Sequence, residues 1–352
     1  MQIKRIALGG IIMTVIMFSG CSTTVQNLAI GEEKTLETGK TEQESVTEKD
    51  INMNEKESFN AESNINDVIH DSAFDDYGRL IFPVDMEIED NLKLKDVSSI
   101  LPWYSEVNTD KTVEIVNYMK NQAMNGEQIF YPIYSEEEMQ ADADKKDTGL
   151  FFFRGNAGAK TTIINAGGGF VYVAGIHDSF PHALELSKKG HNAFALIYRP
   201  GAQTACEDLA RAIAFLHENA EQLQIDMTDY SLWGGSAGAR MAAWLGSYGT
   251  AYFGEKDYPA PAAVIMQYTG LSQVTGMEPP IYACVGTSDG IASYRSMESY
   301  ISQIQQNGTN TKIEVFKGLS HGFGLGEGTV AEGWIDHAVS FWEENMSASY
   351  KR

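Results

Sequence analysis

Cysteine is scarce in this chain, with three in 352 residues. No Cys-x-x-Cys pair and no His-Glu-x-x-His run occurs, so neither a structural zinc centre nor a zinc-hydrolase signature is suggested. Basic charge is scarce as well: Lys and Arg number 26 against 48 Asp and Glu, for a net charge of −22. A polyanion is repelled by nucleic acid and by anionic membrane surfaces, which argues against both as partners of the body of the chain. No apolar run approaches the ~20 residues needed to span a bilayer. No period of ~20–50 residues repeats, which sets aside solenoids and propellers. A dinucleotide fingerprint is also missing. The run Gly167-Gly168-Gly169 has Tyr172 where Gly-x-Gly-x-x-Gly requires its third glycine. No metal or cofactor is therefore expected.

What is present begins with an export pattern. Lys4 and Arg5 precede Ile6 to Phe18, thirteen uncharged and mostly apolar residues, which reads as a secretion signal over residues 1–20. Phe18-Ser19-Gly20-Cys21 resembles a bacterial lipobox, with Cys21 as the lipid-modified mature N-terminus. The chain is then expected outside a bacterial membrane and touching it only through that anchor. The plainer alternative is a cleaved signal followed by an unmodified cysteine. Between Glu32 and Asp76 there are 14 Asp/Glu and 4 Lys. Such a segment buries too little apolar surface to offset its ordering entropy, so residues 21–73 read as a disordered acidic tether.

Residues 74–147 read as an N-terminal extension packed on a main domain. A helix is expected from Asp110 to Met124, with Asp110 as N-cap. Trp103 and Tyr104 offer a stacking platform for a sugar or an aromatic ester, although core packing is the commoner use of such rings. From Leu150 onward the pattern changes. Short apolar runs at Leu150–Phe153, Thr161–Ala166, Ala193–Tyr198, Tyr230–Trp233, Ala262–Tyr268, Pro280–Val285 and Lys312–Phe316 suit buried strands. Helical segments lie between them, one opening at Thr204-Ala205-Cys206-Glu207 as a capping box. Strands alternating with helices imply an α/β domain, over residues 148–346, whose mostly parallel sheet is covered on both faces. Cys206 falls on a helix and Cys284 on a strand, as buried free thiols would.

In such sheets the working residues gather in loops beyond the strand ends. One of those loops carries Gly234-Gly235-Ser236-Ala237-Gly238, placed between a strand and a helix. A serine on so tight a turn is held with its hydroxyl outward, and only small neighbours fit two positions away. A serine nucleophile needs a base, a group that orients the base, and donors for the oxyanion. Of seven histidines, His321 is the best base, in the flexible loop Gly318-Leu319-Ser320-His321-Gly322 after the last strand. His177, behind the glycine run, is the other that stays open. Asp289 follows a strand and precedes His321, as an orienting carboxylate should; an Asx-turn is its plainer use. Gly168 and Gly169, with the N–H of Ala237, supply candidate oxyanion donors.

Asn165-Ala166-Gly167-Gly168-Gly169, Gly234-Gly235-Ser236-Ala237-Gly238, Asp289 and His321, in that order, resemble the α/β-hydrolase superfamily. The likeness is strongest to its hormone-sensitive-lipase-like and bacterial acetyl or feruloyl esterase branches, and it covers about Leu150 to Met346. Asn165 stands where those esterases usually carry histidine. The resemblance implies an α/β-hydrolase fold and a serine esterase, with Ser236 as nucleophile, His321 as base, Asp289 as orienter and Gly168, Gly169 and Ala237 as oxyanion hole. Phe170, Tyr172 and Trp103 are then candidates for the substrate pocket. The implied substrate is a small or oligosaccharide ester. A peptidase or lipase of the same fold, or a non-catalytic carbohydrate-binding relative, are the competing readings.

Overall fold

The computed structural model describes residues 58–347. The expected secretion signal, Cys21 and the tether up to residue 57 lie outside the described residues. Order begins before residue 74, where the composition placed it. Helix α1 (Ile65–Ile69) is capped by Asn64, whose side chain accepts from the Asn66 N–H, and it buries Ile65 and Val68 completely. Asn117 grips the backbone of Phe59 from both sides, accepting from its N–H at 2.8 Å and donating to its carbonyl at 2.9 Å. The expected end of the tether at residue 73 is thus corrected. A few apolar side chains in an acidic stretch suffice to dock it, because two backbone groups are satisfied with them.

Helix α2 (Thr109–Met124) starts one residue sooner than expected. Its cap is Asn108, which accepts from the N–H groups of Asp110 and Lys111. Asp110 instead lies in the first turn, where a carboxylate meets the positive end of the helix dipole. Strand β1 (Phe130–Tyr131) was not foreseen, since two residues carry no periodicity. Helix α3 (Glu136–Ala141) opens on a capping box between Ser135 and Glu138.

The main domain then runs β2 (Gly149–Phe153), β3 (Lys160–Asn165), α4 (Gly175–Asp178), α5 (Phe180–Lys188), β4 (Asn192–Ile197), α6 (Ala202–Glu218), α7 (Ala220–Leu223), β5 (Asp226–Gly235), α8 (Ala237–Tyr248), β6 (Ala263–Gln267), β7 (Ile281–Gly286), α9 (Tyr294–Gln306), β8 (Thr311–Phe316) and α10 (Trp334–Asn345). All eight strands join one sheet in the order β1-β2-β4-β3-β5-β6-β7-β8. Strand β2 pairs antiparallel with β1 and β4, and every pairing from β4 to β8 is parallel. Every residue of β2, β3, β4, β6 and β7 is buried. Since alternate side chains face opposite ways, both faces of the sheet are covered. Helix α6 begins at Ala202 behind Gly201, whose φ of 99° breaks the chain there, so Thr204 is not its cap.

Cys206 and Cys284 are buried and free. Burial pushes the Cys206 thiol up to about 12, which leaves it protonated and unreactive at neutral pH. The extension is tied to the main domain by charge as well as by packing. Arg199 pairs with the buried Asp208 at 2.7 Å and with Asp142 at 2.8 Å. Tyr134 donates to the same Asp208 at 2.7 Å. The arrangement that matters for function is topological. Strands β3, β5, β6, β7 and β8 are consecutive neighbours and parallel, so the loops at their C-terminal ends rise together.

Candidate active site

Ser236 sits between β5 and α8 with φ 50° and ψ −113°, a backbone conformation costly for any residue with a Cβ. The surroundings enforce it. A Cβ on Gly238 would lie 1.9 Å from the carbonyl oxygen of Asn165, and one on Gly234 would lie 2.3 Å from the carbonyl carbon of Gly238. The turn is therefore pressed against β3 as closely as backbone can approach backbone. The Ser236 N–H donates to the Gln267 carbonyl at 3.0 Å, which moors the turn to β6 on the other side. Gly238→Ala must push β3 and the turn apart. Overpacking of this kind costs about 1–3 kcal/mol, so a fall of that size in the urea unfolding free energy is expected, together with a loss of activity.

The loop after β8 brings His321 to the serine, with Nε2 at 3.1 Å from Ser236 Oγ. The loop after β7 brings Asp289, with Oδ2 at 2.8 Å from His321 Nδ1. The Asp289 side chain is wholly shielded from solvent. Its other oxygen, Oδ1, accepts from the N–H groups of Ile291 at 2.8 Å and Ala292 at 2.7 Å. One carboxylate thus makes both the local turn and the histidine contact, one oxygen each. That pairing places the imidazole proton on Nδ1 and leaves Nε2 as acceptor toward the serine hydroxyl. The His321 carbonyl in turn accepts from the hydroxyl of Ser105 at 2.7 Å, so the N-terminal extension braces the histidine loop.

The third part is the loop after β3. Gly168 has φ 127°, Gly169 φ 65° and Phe170 φ 61°. A Cβ on Gly167 would come within 2.8 Å of Ser236 Cβ, which measures how near this loop runs to the serine. The Gly167 N–H is already committed, donating to Asp178 Oδ2 at 2.7 Å. Among the described residues, no hydrogen bond uses the N–H groups of Gly168, Gly169 or Ala237. These are the three groups the sequence suggests as oxyanion donors.

The group that holds this loop was not anticipated. Asp178, at the end of α4, is 1 % exposed. Besides Gly167 it accepts from the Tyr104 hydroxyl at 3.0 Å and from the Tyr268 hydroxyl. Burial pushes its carboxyl above the ordinary value, and the hydroxyl and N–H donors, with His177, pull it back. One acid thereby links the glycine loop, the end of β6 and the N-terminal extension. Tyr104 is half-buried, its hydroxyl engaged in this network and its ring edge-on to His177, whereas Trp103 beside it is exposed. A weak signal existed in the sequence: Asp178 is the one acid between Gly167 and Leu184, a stretch with many apolar residues, and an Asp buried there needs partners. Asn165, by contrast, leaves the loop alone. Its amide donates across the sheet to the Trp233 carbonyl at 2.8 Å. His177 is directed away from the serine, its Nε2–H donating to the Gly322 carbonyl at 3.0 Å. Burial lowers its pKa, which keeps the ring neutral behind the His321 loop.

A cavity of 220 Å³ opens over Ser236, lined among others by Gly169, Phe170, Arg240, Tyr268 and His321. Of the three residues expected to wall the pocket, Phe170 alone lines it, its ring stacked 6.1 Å from that of Trp244. Tyr172 is 1 % exposed and lies under the glycine loop, its hydroxyl donating to the Pro102 carbonyl. Trp103 is half exposed and stacks on Tyr172 at 5.6 Å, over Gly169. Both rings therefore support the loop and do not line the cavity. The reason is the positive φ at Gly168 through Phe170, which turns the chain so that Phe170 faces the serine and Tyr172 faces the core.

A serine on a strained turn after a central parallel strand, with a histidine and an acid from later strands of the same sheet, is the arrangement of an α/β-hydrolase. The chain has that fold. Residues 155–281 match the family model BD-FAE. No curated protein matches the chain. Similar solved structures include the apo form of Thermogutta terrifontis esterase 2, at TM-score 0.52 and 17% identity over 62% of this chain and 95% of that one. The butyrate-bound form of the same esterase gives 0.53 and 17% over 62% and 95%. The form phosphonylated by cyclosarin gives 0.52 and 17% over 62% and 96%. At this identity the likeness is one of fold.

Proposed function

We propose that this protein is a serine carboxylic-ester hydrolase that removes small acyl groups from carbohydrate at the outer face of a bacterial envelope. The observation that carries the hydrolase reading is the unbroken contact chain from Ser236 through His321 to Asp289, beside three uncommitted N–H groups. In this reading Ser236 Oγ attacks the ester carbonyl while His321 Nε2 takes the hydroxyl proton. The tetrahedral oxyanion accepts from Gly168, Gly169 and Ala237, and Asp289 stabilises the imidazolium. His321 then gives the proton to the departing alcohol, leaving an acyl-Ser236. A water, deprotonated by the same nitrogen, releases the carboxylic acid and restores the serine. The cavity of 220 Å³, with the Phe170 ring in its wall, suits a short acyl chain. The expected signal and lipidated Cys21 support the location, and the match to BD-FAE supports an ester over an amide.

The test is a fluorophosphonate probe on the folded protein, followed by peptide mass spectrometry. Ser236 is expected to carry the label, as the Thermogutta esterase does the phosphonyl group its structure describes, and prior unfolding is expected to abolish labelling. Absence of label on folded protein would sink the proposal. Acetate release from acetylated xylan, with no cleavage of peptide amides, is the expected substrate pattern.

A further inference from the structure

Arg240 lies one turn after Ser236 on helix α8 and lines the cavity over the serine. It also lines a second cavity of 250 Å³, which shares Gly270 with the first and is walled by Trp244, Tyr248, Gln273 and Tyr300. Residues four apart on a helix project side by side, so the guanidinium stands at the junction of the two spaces. It is exposed, and among the described residues its side chain has no hydrogen bond, ion pair or ring contact. The other described arginines are all engaged. Arg79, Arg154, Arg199 and Arg211 pair with carboxylates, and Arg295 lies over the Tyr294 ring. The charge around Arg240 is the more telling observation. Although the chain carries 48 acidic residues, not one Asp or Glu lines either cavity. A cation left unpaired in an acid-free groove beside the serine is placed to pair with an anion that the ligand supplies.

We infer that Arg240 recognises a carboxylate on the alcohol side of the ester, so that the substrate class is an acylated acidic sugar of the uronate type. The inference rests on the esterase reading above. The alcohol side is assigned because Arg240 is shared with the second cavity, whose aromatic walls and amide and hydroxyl groups suit a sugar ring. The acyl group is left to the first cavity, over Ser236. A guanidinium fork matches a carboxylate with two parallel hydrogen bonds, which lysine cannot reproduce.

The test uses one sugar in two charge states: an acetylated methyl glucuronoside as its free carboxylate and as its uronamide, with acetate release giving kcat/KM for each. The wild-type protein is expected to favour the carboxylate by about tenfold or more, and the preference to shrink as ionic strength rises. Arg240→Gln is expected to bring the ratio close to one, and Arg240→Lys to keep part of it. Equal rates on the pair in wild type, or a ratio unchanged in Arg240→Gln, would overturn the inference. A preference for 4-nitrophenyl hemisuccinate over 4-nitrophenyl acetate without any in the sugar pair overturns the alcohol-side assignment. Turnover of 4-nitrophenyl acetate keeps the two levels apart. Its presence with no charge preference removes the Arg240 role and leaves the esterase, whereas its absence removes the esterase reading and this inference together.

Discussion

Ser236→Ala is expected to lower kcat on 4-nitrophenyl acetate by on the order of 10⁴–10⁶-fold while leaving the unfolding midpoint close to that of wild type. Only Oγ is removed. The Cβ stays, so the strain at φ 50° and the close packing of Gly238 on β3 and of Gly234 on Gly238 stay with it. His321→Ala is expected to cost a similar factor, and the double variant no more than either alone, because the two groups act as one unit. Asp289→Asn isolates the orienting role. The acid uses one oxygen for His321 Nδ1 and the other for the N–H groups of Ile291 and Ala292. An amide has a single acceptor oxygen, so in either orientation an NH₂ faces a donor. If the turn keeps the oxygen, the imidazole is driven to the tautomer whose Nε2–H points at Ser236, and a loss of roughly 10⁴ follows. The assay is steady-state kinetics with circular dichroism on the same samples. A Ser236→Ala protein that keeps more than a tenth of wild-type activity overturns the assignment of the nucleophile.

The α/β architecture was legible because its strands are short, mostly apolar and separated by helices of ordinary length. A two-residue strand such as β1, or the small docking helix α1 in an acidic stretch, lacks the length for a period to show. Ser236 and its two glycines announced themselves because a tight strand-to-helix turn tolerates so few residue types. The candidates Asp289 and His321 came from order along the chain, since loops after later parallel strands must rise on the same edge as the serine. What stayed hidden depended on tertiary approach. Tyr104 is 74 residues from Asp178, and Tyr268 is 90 residues away, so no local pattern links them. Tyr172 and Phe170 are both aromatic and two residues apart. The positive φ values from Gly168 through Phe170, which composition does not reveal, decide that one lines the cavity and the other supports the loop. Arg240 was passed over for a different reason: an exposed arginine on a helix is ordinary until the absence of acids around it is seen.

Asp178 gives the second large expected effect. Asp178→Ala leaves the Gly167 N–H and the hydroxyls of Tyr104 and Tyr268 without their acceptor in a buried site, at about 1–3 kcal/mol for each such group. A clear fall in the unfolding midpoint is expected. A drop in kcat of on the order of 10²-fold is expected as well, because the loop carrying the proposed Gly168 and Gly169 oxyanion donors loses its mooring, and misplacing such donors costs about what deleting one does. Asp178→Asn separates these effects. Its single oxygen can keep Gly167 and Tyr104, while its NH₂ donates to the Tyr268 hydroxyl, so kcat is expected within about tenfold of wild type by the modest net worth of a neutral hydrogen bond. The amide also removes a titration. Burial holds the Asp178 carboxyl above its ordinary value, so the native state keeps its proton to higher pH than the unfolded chain does. The group's contribution to stability is then complete below the unfolded value and is lost as pH rises through the raised native one. Asp178→Asn is therefore expected to gain on wild type as pH increases across that window, in urea unfolding measured at a series of pH values. If Asp178→Ala lowers the midpoint but leaves kcat untouched, the residue is a structural hub only, and the glycine loop holds its shape without it.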